Sequence, residues 1–343
     1  MKRGMDGLKS LLLVVGGTVA LAFLLILMVG GDIPTALGSF LRGIFGSTYA
    51  MGEVLVRATP LLLASLGVGI GFKTGFTNLG AEGQLYMGSI TITTVAMLFP
   101  SLPPLVMIPL VMVLGFFAGG LWALIPGFLK ARFSISEIIM TIMLNYVAIN
   151  LVGILVRTIL RDPAYPYPMS PMLTESVHFS QMLLPTRIHG GLPVALVMVI
   201  AVYMLLFRSR LGYEMRAVGL NARACRCSGI KVDRAMVLSA MIGGGLAGLA
   251  GVGEIAGLHH RLIEGISPGY GYMAIIIALL GKNHPVGILI ASLGIAALQV
   301  GSMAMQRSAG IPTSIASTIM GAMVLLLVVR DARSRITIVE EGV

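Results

Sequence analysis

Ten apolar stretches follow one another along the chain, at about 11–29, 54–72, 79–99, 104–125, 136–157, 191–207, 235–258, 270–281, 285–305 and 311–329. Most have the ~20 residues that a helix needs to cross a hydrocarbon core about 30 Å thick. The polar breaks between them are short and carry Gly, Pro, Lys and Arg. The pattern predicts an all-α, polytopic membrane protein of about ten transmembrane helices, forming one transmembrane domain over residues 1–343. The stretch 270–281 is the weakest span, being short and flanked by Gly269 and Gly281. The first stretch follows Lys2, Arg3 and Lys9, as in a signal peptide, but it is too long for one. It also leads into Gly30-Gly31-Asp32 without a small-x-small cleavage site, so an uncleaved first helix is expected.

Composition agrees with this. Only 11% of the 343 residues are charged, whereas a soluble domain has roughly 25%. Apolar residues make up 57% of the chain and the mean hydropathy is +0.95, which excludes a disordered chain, a secreted disulfide scaffold and a nucleic-acid-binding protein. The net charge of +10 is then a topology signal. Ten spans put both termini on one side. If that side is the cytoplasm, 17 of the 24 basic residues lie inside, from Lys2 to Arg335. The outer segments hold the other seven: Arg42, Arg57, Arg157, Arg161, Arg187, Arg261 and Arg307. Cys225 and Cys227 sit one residue apart in a basic loop, a spacing that suits neither an unstrained disulfide nor a complete metal site.

Two segments outside the lipid are long enough to carry function. The outer loop 158–190 contains Asp162-Pro163-Ala164-Tyr165-Pro166-Tyr167-Pro168 and further prolines at 171 and 185, which predicts an extended, ordered surface able to dock something external. The inner loop 208–234 holds seven of the inside basic residues and a helix-compatible core, Glu214 to Cys227, closed by Gly229. A cytoplasmic partner is expected to press there. Glycines crowd the junction of the second and third spans (67, 69, 71, 75, 80, 83) and the eighth span (265, 269, 271, 281). Such crowding predicts broken helices that line a path, with the two halves of the chain as possible inverted repeats.

Polar groups within the spans each need an account, because an ionisable group at the bilayer centre costs roughly 2.5 kcal/mol or more. Asn78, Glu82 and Gln84 surround the start of the third span, and Asn145 and Asn150 lie on different faces of the fifth. These residues, with Glu254, are candidates for the path of a hydrophilic solute. For Glu82 a structural alternative stands beside that reading, in which the carboxylate bonds the free amides of a helix N-terminus. His259, His260 and Glu264 invite a zinc reading, but adjacent histidines on a helix point about 100° apart and no H-E-x-x-H pattern exists, so no metal site is expected. The Gly281-Lys282 pair is followed by Asn283 and lacks the upstream glycine of a phosphate loop, so any ATP must bind another chain. Gly243, Gly244, Gly245, Gly248, Gly251 and Gly253 predict close helix packing in the seventh span.

Five stretches together resemble a known family. Glu53-Val-Leu-Val-Arg-Ala-Thr-Pro60-Leu and Gly75-Phe-Thr-Asn78-Leu-Gly80-Ala-Glu82-Gly-Gln84 resemble the permease subunits of bacterial ABC importers for simple sugars, nucleosides and branched-chain amino acids. Ser136-Glu137-Ile-Ile-Met-Thr141-Ile-Met-Leu-Asn145-Tyr146 is similar to the nucleoside branch, whose solute-binding proteins are lipoproteins. Ala217-Val-Gly219-Leu-Asn221-Ala-Arg-Ala224, followed by Gly229-Ile230, resembles the cytoplasmic coupling loop, and Ala278-Leu-Leu-Gly281-Lys-Asn283-His-Pro285 resembles the exit of the eighth span. The resemblance implies a subunit of the bacterial inner membrane with cytoplasmic termini. Its partners would be a second, different permease chain, two ATPases holding ATP and Mg, and a solute-binding lipoprotein. This chain itself would carry no catalytic residue and no cofactor. Glu214, Ala217, Gly219, Asn221, Ala224 and Gly229 would then contact the ATPase, although Cys225 and Cys227 stand where other small residues are expected. The solute would be a nucleoside, with a sugar such as ribose or galactose as the alternative. The rival from another class is an ion-coupled secondary transporter using Glu82 or Glu254, and an intramembrane enzyme ranks third.

Overall fold

The computed structural model describes residues 16–17, 20–21, 23–315, 317–318 and 321–322. The described residues form helices α1 (Ile33–Phe45), α2 (Thr48–Thr74), α3 (Ala81–Leu98), α4 (Pro104–Phe133), α5 (Glu137–Leu155), α6 (Gly191–Arg208), α7 (Arg210–Leu220), α8 (Ala222–Cys227), α9 (Val232–Glu254), α10 (Tyr270–Leu280) and α11 (Pro285–Ala309). Among them no strand forms, and isolated bridges join only Met169 to Ile263 and Gln181 to His189. Each of the eight apolar stretches between 54 and 305 is a helix. Among the described residues, six helices are long and apolar enough to cross a membrane: α2, α4, α5, α6, α9 with its C-terminal extension, and α11. α3 has 18 residues but opens on the polar turn Ala81-Glu82-Gly83-Gln84. α10 has only 11 residues, about 16 Å of helix, roughly half of the ~30 Å hydrocarbon thickness. The stretches 11–29 and 311–329 lie partly outside the described residues.

The chain divides into two compact units, Met1–Val54 with Gly294–Val343, and Leu55–Leu293. In the first, α1 was not anticipated, since 13 residues interrupted by Arg42 are too few for a span. It forms because the Asp32 carboxylate accepts from the Thr35 amide at 3.0 Å and Pro34 stands in the first turn. Ala36 and Phe40 pack in a cluster with Ile26, Met305, Ile311 and Ile315.

The second unit is built around α9. In the most apolar 18-residue window of each helix, 72% of α9 and 89% of α2 are buried, against 28% for α4, α5 and α6. Two helices are therefore core and the other three are shell. Exposed apolar residues share one face of each shell helix, such as Val106, Val113, Phe117, Leu121 and Phe128 on α4, as expected for helices bathed in lipid. The glycine run of α9 makes the core possible. A Cβ on Gly248 would meet the Gly115 carbonyl and the Gly119 Cα of α4, and a Cβ on Gly88 of α3 would run into the Gly248 carbonyl. Backbone rests on backbone there, which raises the dispersion gain between apolar helices that no hydrophobic effect drives together in lipid.

The outer loop 158–190 is ordered, as its prolines predict, and backbone bonds hold it to the end of α9. α9 continues into a π turn, Ile255–His259, that ends at His260 in a left-handed conformation (φ 54°). Carbonyls in this turn and just beyond the helix end are left free to accept from elsewhere. The Phe179 amide donates to Ala256 O at 2.8 Å, the Leu173 amide to His260 O at 2.9 Å and the Ser170 amide to Leu262 O at 2.8 Å.

Candidate functional site

Two discontinuities meet inside the second unit. The first lies between α2 and α3. Gly75 takes a left-handed conformation (φ 81°) that a side chain would strain, and the Phe76 amide turns back to Gly71 O at 2.9 Å. The peptide units from 76 to 80 are then outside any helix and buried or half-buried, so they need partners that a helix ladder does not supply. Asn78 supplies one and is itself held in place. Its amide pairs reciprocally with that of Gln84, both contacts at 3.0 Å, and its Oδ1 also accepts from the Gly80 amide at 2.9 Å.

Asn145 of α5 closes the junction from the side. Its Oδ1 accepts from the Gly83 amide at 2.8 Å and its Nδ2 donates to Leu79 O at 2.9 Å. Gly83 is in the first turn of α3, where amides have no intrahelical acceptor, so Asn145 caps α3 from another helix. Lower on α5, Glu137 is buried beside Lys130 of α4 at 2.9 Å.

The second discontinuity runs from His260 to Gly269, where Gly265 and Gly269 have φ of 71° and 92°. Ser267 Oγ accepts from the Tyr270 amide at 3.0 Å and starts α10. Glu82 joins the two breaks: its Oε2 accepts from the Gly271 amide at 2.7 Å, and a Cβ on Gly271 would collide with the backbone of Ala81 and Glu82. The N-terminal ends of α3 and α10 therefore meet at one buried carboxylate, and both helix dipoles present their positive ends to it. Tyr272, 41% exposed, lies against Asn145 and near Tyr146, which is 56% exposed. These rings border the junction and sequence reading had not singled them out as site residues.

The structure thus brings Asn78, Glu82, Gln84 and Asn145 together and separates the other two path candidates from them. The amide of Asn150 donates to Tyr146 O of its own helix at 2.8 Å, on an exposed face. Glu254 is buried, with Oε2 3.3 Å from His259 Nε2 but not in hydrogen-bonding geometry. The trio once weighed for a metal disperses: His259 turns to Glu254, His260 stacks on His178 at 3.8 Å, and Glu264 pairs with Arg157 at 2.6 Å. Nearby, His189 is buried against Phe179 and its Nδ1 accepts from the Gly191 amide at 3.1 Å. Burial, with His260 adding a smaller repulsion, pushes its pKa down to about 4.

The inner loop forms two helices instead of the single one expected from Glu214 to Cys227. Asn221 is extended (φ −158°, ψ 96°), and its Oδ1 accepts from the amides of Arg223 and Ala224 at 3.1 and 3.0 Å, so it ends α7 and caps α8. Gly229, at φ 79°, closes α8 as its position predicts, with the Ile230 amide on Cys225 O at 3.0 Å. Glu214 pairs with Arg210 one turn back at 3.2 Å. Asn221, Ala224 and Gly229 are exposed and Ala217 is half-buried. Gly219 turns its α-carbon onto the end of α2, where a Cβ would collide with Lys73 O. Leu220 is 90% exposed and Tyr213 60%. Both are apolar side chains exposed beside basic neighbours, a combination that sequence reading had not singled out.

A family model described as the permease component of branched-chain amino acid transport systems matches residues 50–328. The guanosine ABC transporter permease protein NupP of Bacillus subtilis is 32% identical over 95% of this chain and 94% of its own length. The glucose ABC transporter permease protein TsgB13 of Haloferax volcanii is 34% identical over 92% and 87%, and the nucleoside ABC transporter permease protein NupB of Lactococcus lactis is 32% identical over 83% and 80%. No solved structure matches. With nearly its whole apolar, helical length covered by that model, the chain belongs to the family of permease components of branched-chain amino acid transport systems.

Proposed function

We propose that this chain is one of two membrane permease subunits of an ATP-driven importer, and that its solute is a nucleoside. The observation that carries the reading is the full-length likeness to the guanosine permease of B. subtilis, joined by the nucleoside permease of L. lactis. A monosaccharide is the second reading, favoured by the glucose permease of H. volcanii at 34% identity.

A heterodimer is supported by an asymmetry among the relatives. NupP and NupB are each 32% identical to this chain, while NupQ and NupC, named for the same two solutes, are 24% and 25% identical. TsgB13 and TsgC13 repeat the difference at 34% and 26%. This chain takes the place of the first member of each pair and leaves the second to another polypeptide. ATP and Mg belong to a partner ATPase that seats on α7 and α8 through Glu214, Ala217, Gly219, Asn221, Ala224 and Gly229, with Leu220 as its apolar anchor. A solute-binding lipoprotein delivers the solute to the outer loop 158–190. The solute passes the junction of Asn78, Glu82, Gln84 and Asn145, while Asn150 and Glu254 lie at its margin.

Ten spans, the outer two drawn from 11–29 and 311–329, put both termini in the cytoplasm, with the two halves related as inverted repeats. Two pairings support the sides: the inner loop touches Lys73, and the outer loop bonds the segment 256–262. Co-purification of the tagged chain from its native membrane, followed by ATP-dependent uptake of labelled guanosine and glucose into vesicles, tests the proposal. The expected result is recovery of an ATPase and a second permease, with ATP-dependent guanosine uptake, and Leu220→Asp lowers ATPase recovery at least tenfold. A chain that purifies alone and transports on an ion gradient overturns it.

A further inference from the structure

We infer that ATP-driven motion enters the membrane through the α2–α3 break, with the backbone of Gly219 bearing on the carbonyl end of α2 and the break passing the displacement to the junction of α3, α5 and α10. The inference rests on reading the inner loop as the ATPase seat.

The covalent route out of that seat is jointed. Before α7 the chain passes through Ser209, extended at φ −110° and ψ 156°, and after it through Asn221, extended at φ −158° and ψ 96°. Non-covalent contacts hold α7 more firmly than these joints. At one end Gly212 sits so close to Leu205 and Leu206 of α6 that a Cβ would collide with their backbone; at the other, Gly219 stands in the same relation to Lys73 and Thr74 of α2. A Cβ on Gly75 would lie 3.6 Å from the Gly219 Cα. With no side chain between the two backbones, nothing at this contact can change rotamer to absorb a shift.

From there the transmission is short. Gly75 begins the break, and within nine residues the chain is bonded to every helix of the junction: Asn78 to Gln84, Leu79 and Gly83 to Asn145 of α5, and Glu82 to Gly271 of α10. Apart from half-buried Leu79, each of these partners is buried. A push on Lys73 therefore either leaves this bonded set intact or moves it as a whole to a second arrangement, which is how packed interfaces switch. α2 is also the most buried of the six long apolar helices, so the push arrives at the core and not at the lipid-facing shell. Gly75 and Gly219 act as positioning residues.

Spatial continuity alone does not demonstrate coupling, so the test measures it. Hydrogen exchange at amides 76–84 is compared in the assembled transporter, nucleotide-free and vanadate-trapped, for wild type, Gly75→Ala and Gly294→Ala. A Cβ at Gly294 meets open space, which makes it the control. The expected wild-type result is at least a threefold change in exchange at 76–84 between the two states. In Gly75→Ala the change collapses and uptake per ATP hydrolysed falls at least tenfold, while the ATPase still co-purifies and hydrolyses ATP; Gly294→Ala behaves as wild type. Equal exchange in the two wild-type states overturns the inference while leaving the importer reading intact, as does full uptake in Gly75→Ala. Failure of the wild-type chain to bind an ATPase overturns both. The wild-type comparison needs no variant, so it decides the matter even if Gly75→Ala does not reach the membrane.

Discussion

Replacing Asn145 by Leu keeps the side chain's branched shape and number of heavy atoms and removes both hydrogen bonds that fasten α5 to the α2–α3 break. The buried Gly83 amide and the half-buried Leu79 carbonyl then lose these partners. Leaving one such group unsatisfied costs about 1–3 kcal/mol, which for two gives roughly 2–6 kcal/mol. Interhelical side-chain bonds in bilayers average only about 0.6 kcal/mol, because an unfolded chain in lipid finds other partners. That discount applies only in part here, since neither group has an intrahelical partner to fall back on. We therefore expect Asn145→Leu to destabilise by about 2–4 kcal/mol. Asn150→Leu is the matched control: its amide bonds its own helix on an exposed face, and the change should cost less than about 0.5 kcal/mol. Unfolding in mixed micelles titrated with SDS, followed by the fluorescence of the single tryptophan, Trp122, measures both. Asn145→Leu within about 0.5 kcal/mol of wild type, or no worse than Asn150→Leu, would refute the assignment of Asn145 as the cap of α3.

Two further outcomes follow from the geometry. Gly248→Val places three carbons where the Gly115 carbonyl and Gly119 Cα already stand; folded protein recovered from membranes should fall several-fold, whereas Gly294→Val, in open space, should be recovered normally. His189 is neutral when buried and its folded pKa, about 4, lies below its unfolded 6.5. Its contribution is therefore complete above pH 6.5 and is lost as pH falls from there toward 4, a difference on the order of 3 kcal/mol at about 1.4 kcal/mol per pH unit. Micellar unfolding at pH 7, 5.5 and 4 should show this loss in wild type and a flatter profile in His189→Gln; equal slopes in the two proteins would count against it.

The sequence made some of this legible and hid the rest for physical reasons. Long apolar helices announce themselves because in lipid a continuous apolar run of this length satisfies its backbone as a helix, and every stretch from 54 to 305 became one. The glycines of α9 announced close packing because nothing else explains so many in one span. α1 escaped notice because its 13 residues alternate faces too briefly to resemble a span. The inner loop was read as one helix because Asn221, an ordinary interior residue by composition, reveals its cap only when its side chain is seen to turn back on Arg223 and Ala224. Asn78, Glu82 and Gln84 stood out as polar residues in an apolar stretch, and the pairing of Asn78 with Gln84 lies within one turn and a half of chain. The partners of Glu82 and Gly83 are far away in sequence, at Gly271 and Asn145, and no local pattern encodes a contact across that distance.

The π turn after α9 has a consequence for how this protein can diverge. The carbonyls of Ala256 within it and of His260 and Leu262 just beyond it are met by the peptide amides of Phe179, Leu173 and Ser170, and peptide groups are common to almost every residue type. The outer loop is thus moored by parts of the chain that mutation does not alter, apart from changes to proline. Its exposed side chains, Tyr167, Met172 and Leu184 among them, can be exchanged while the mooring stays the same. A lineage can rewrite the exposed face of this loop without disturbing the helices to which it is moored.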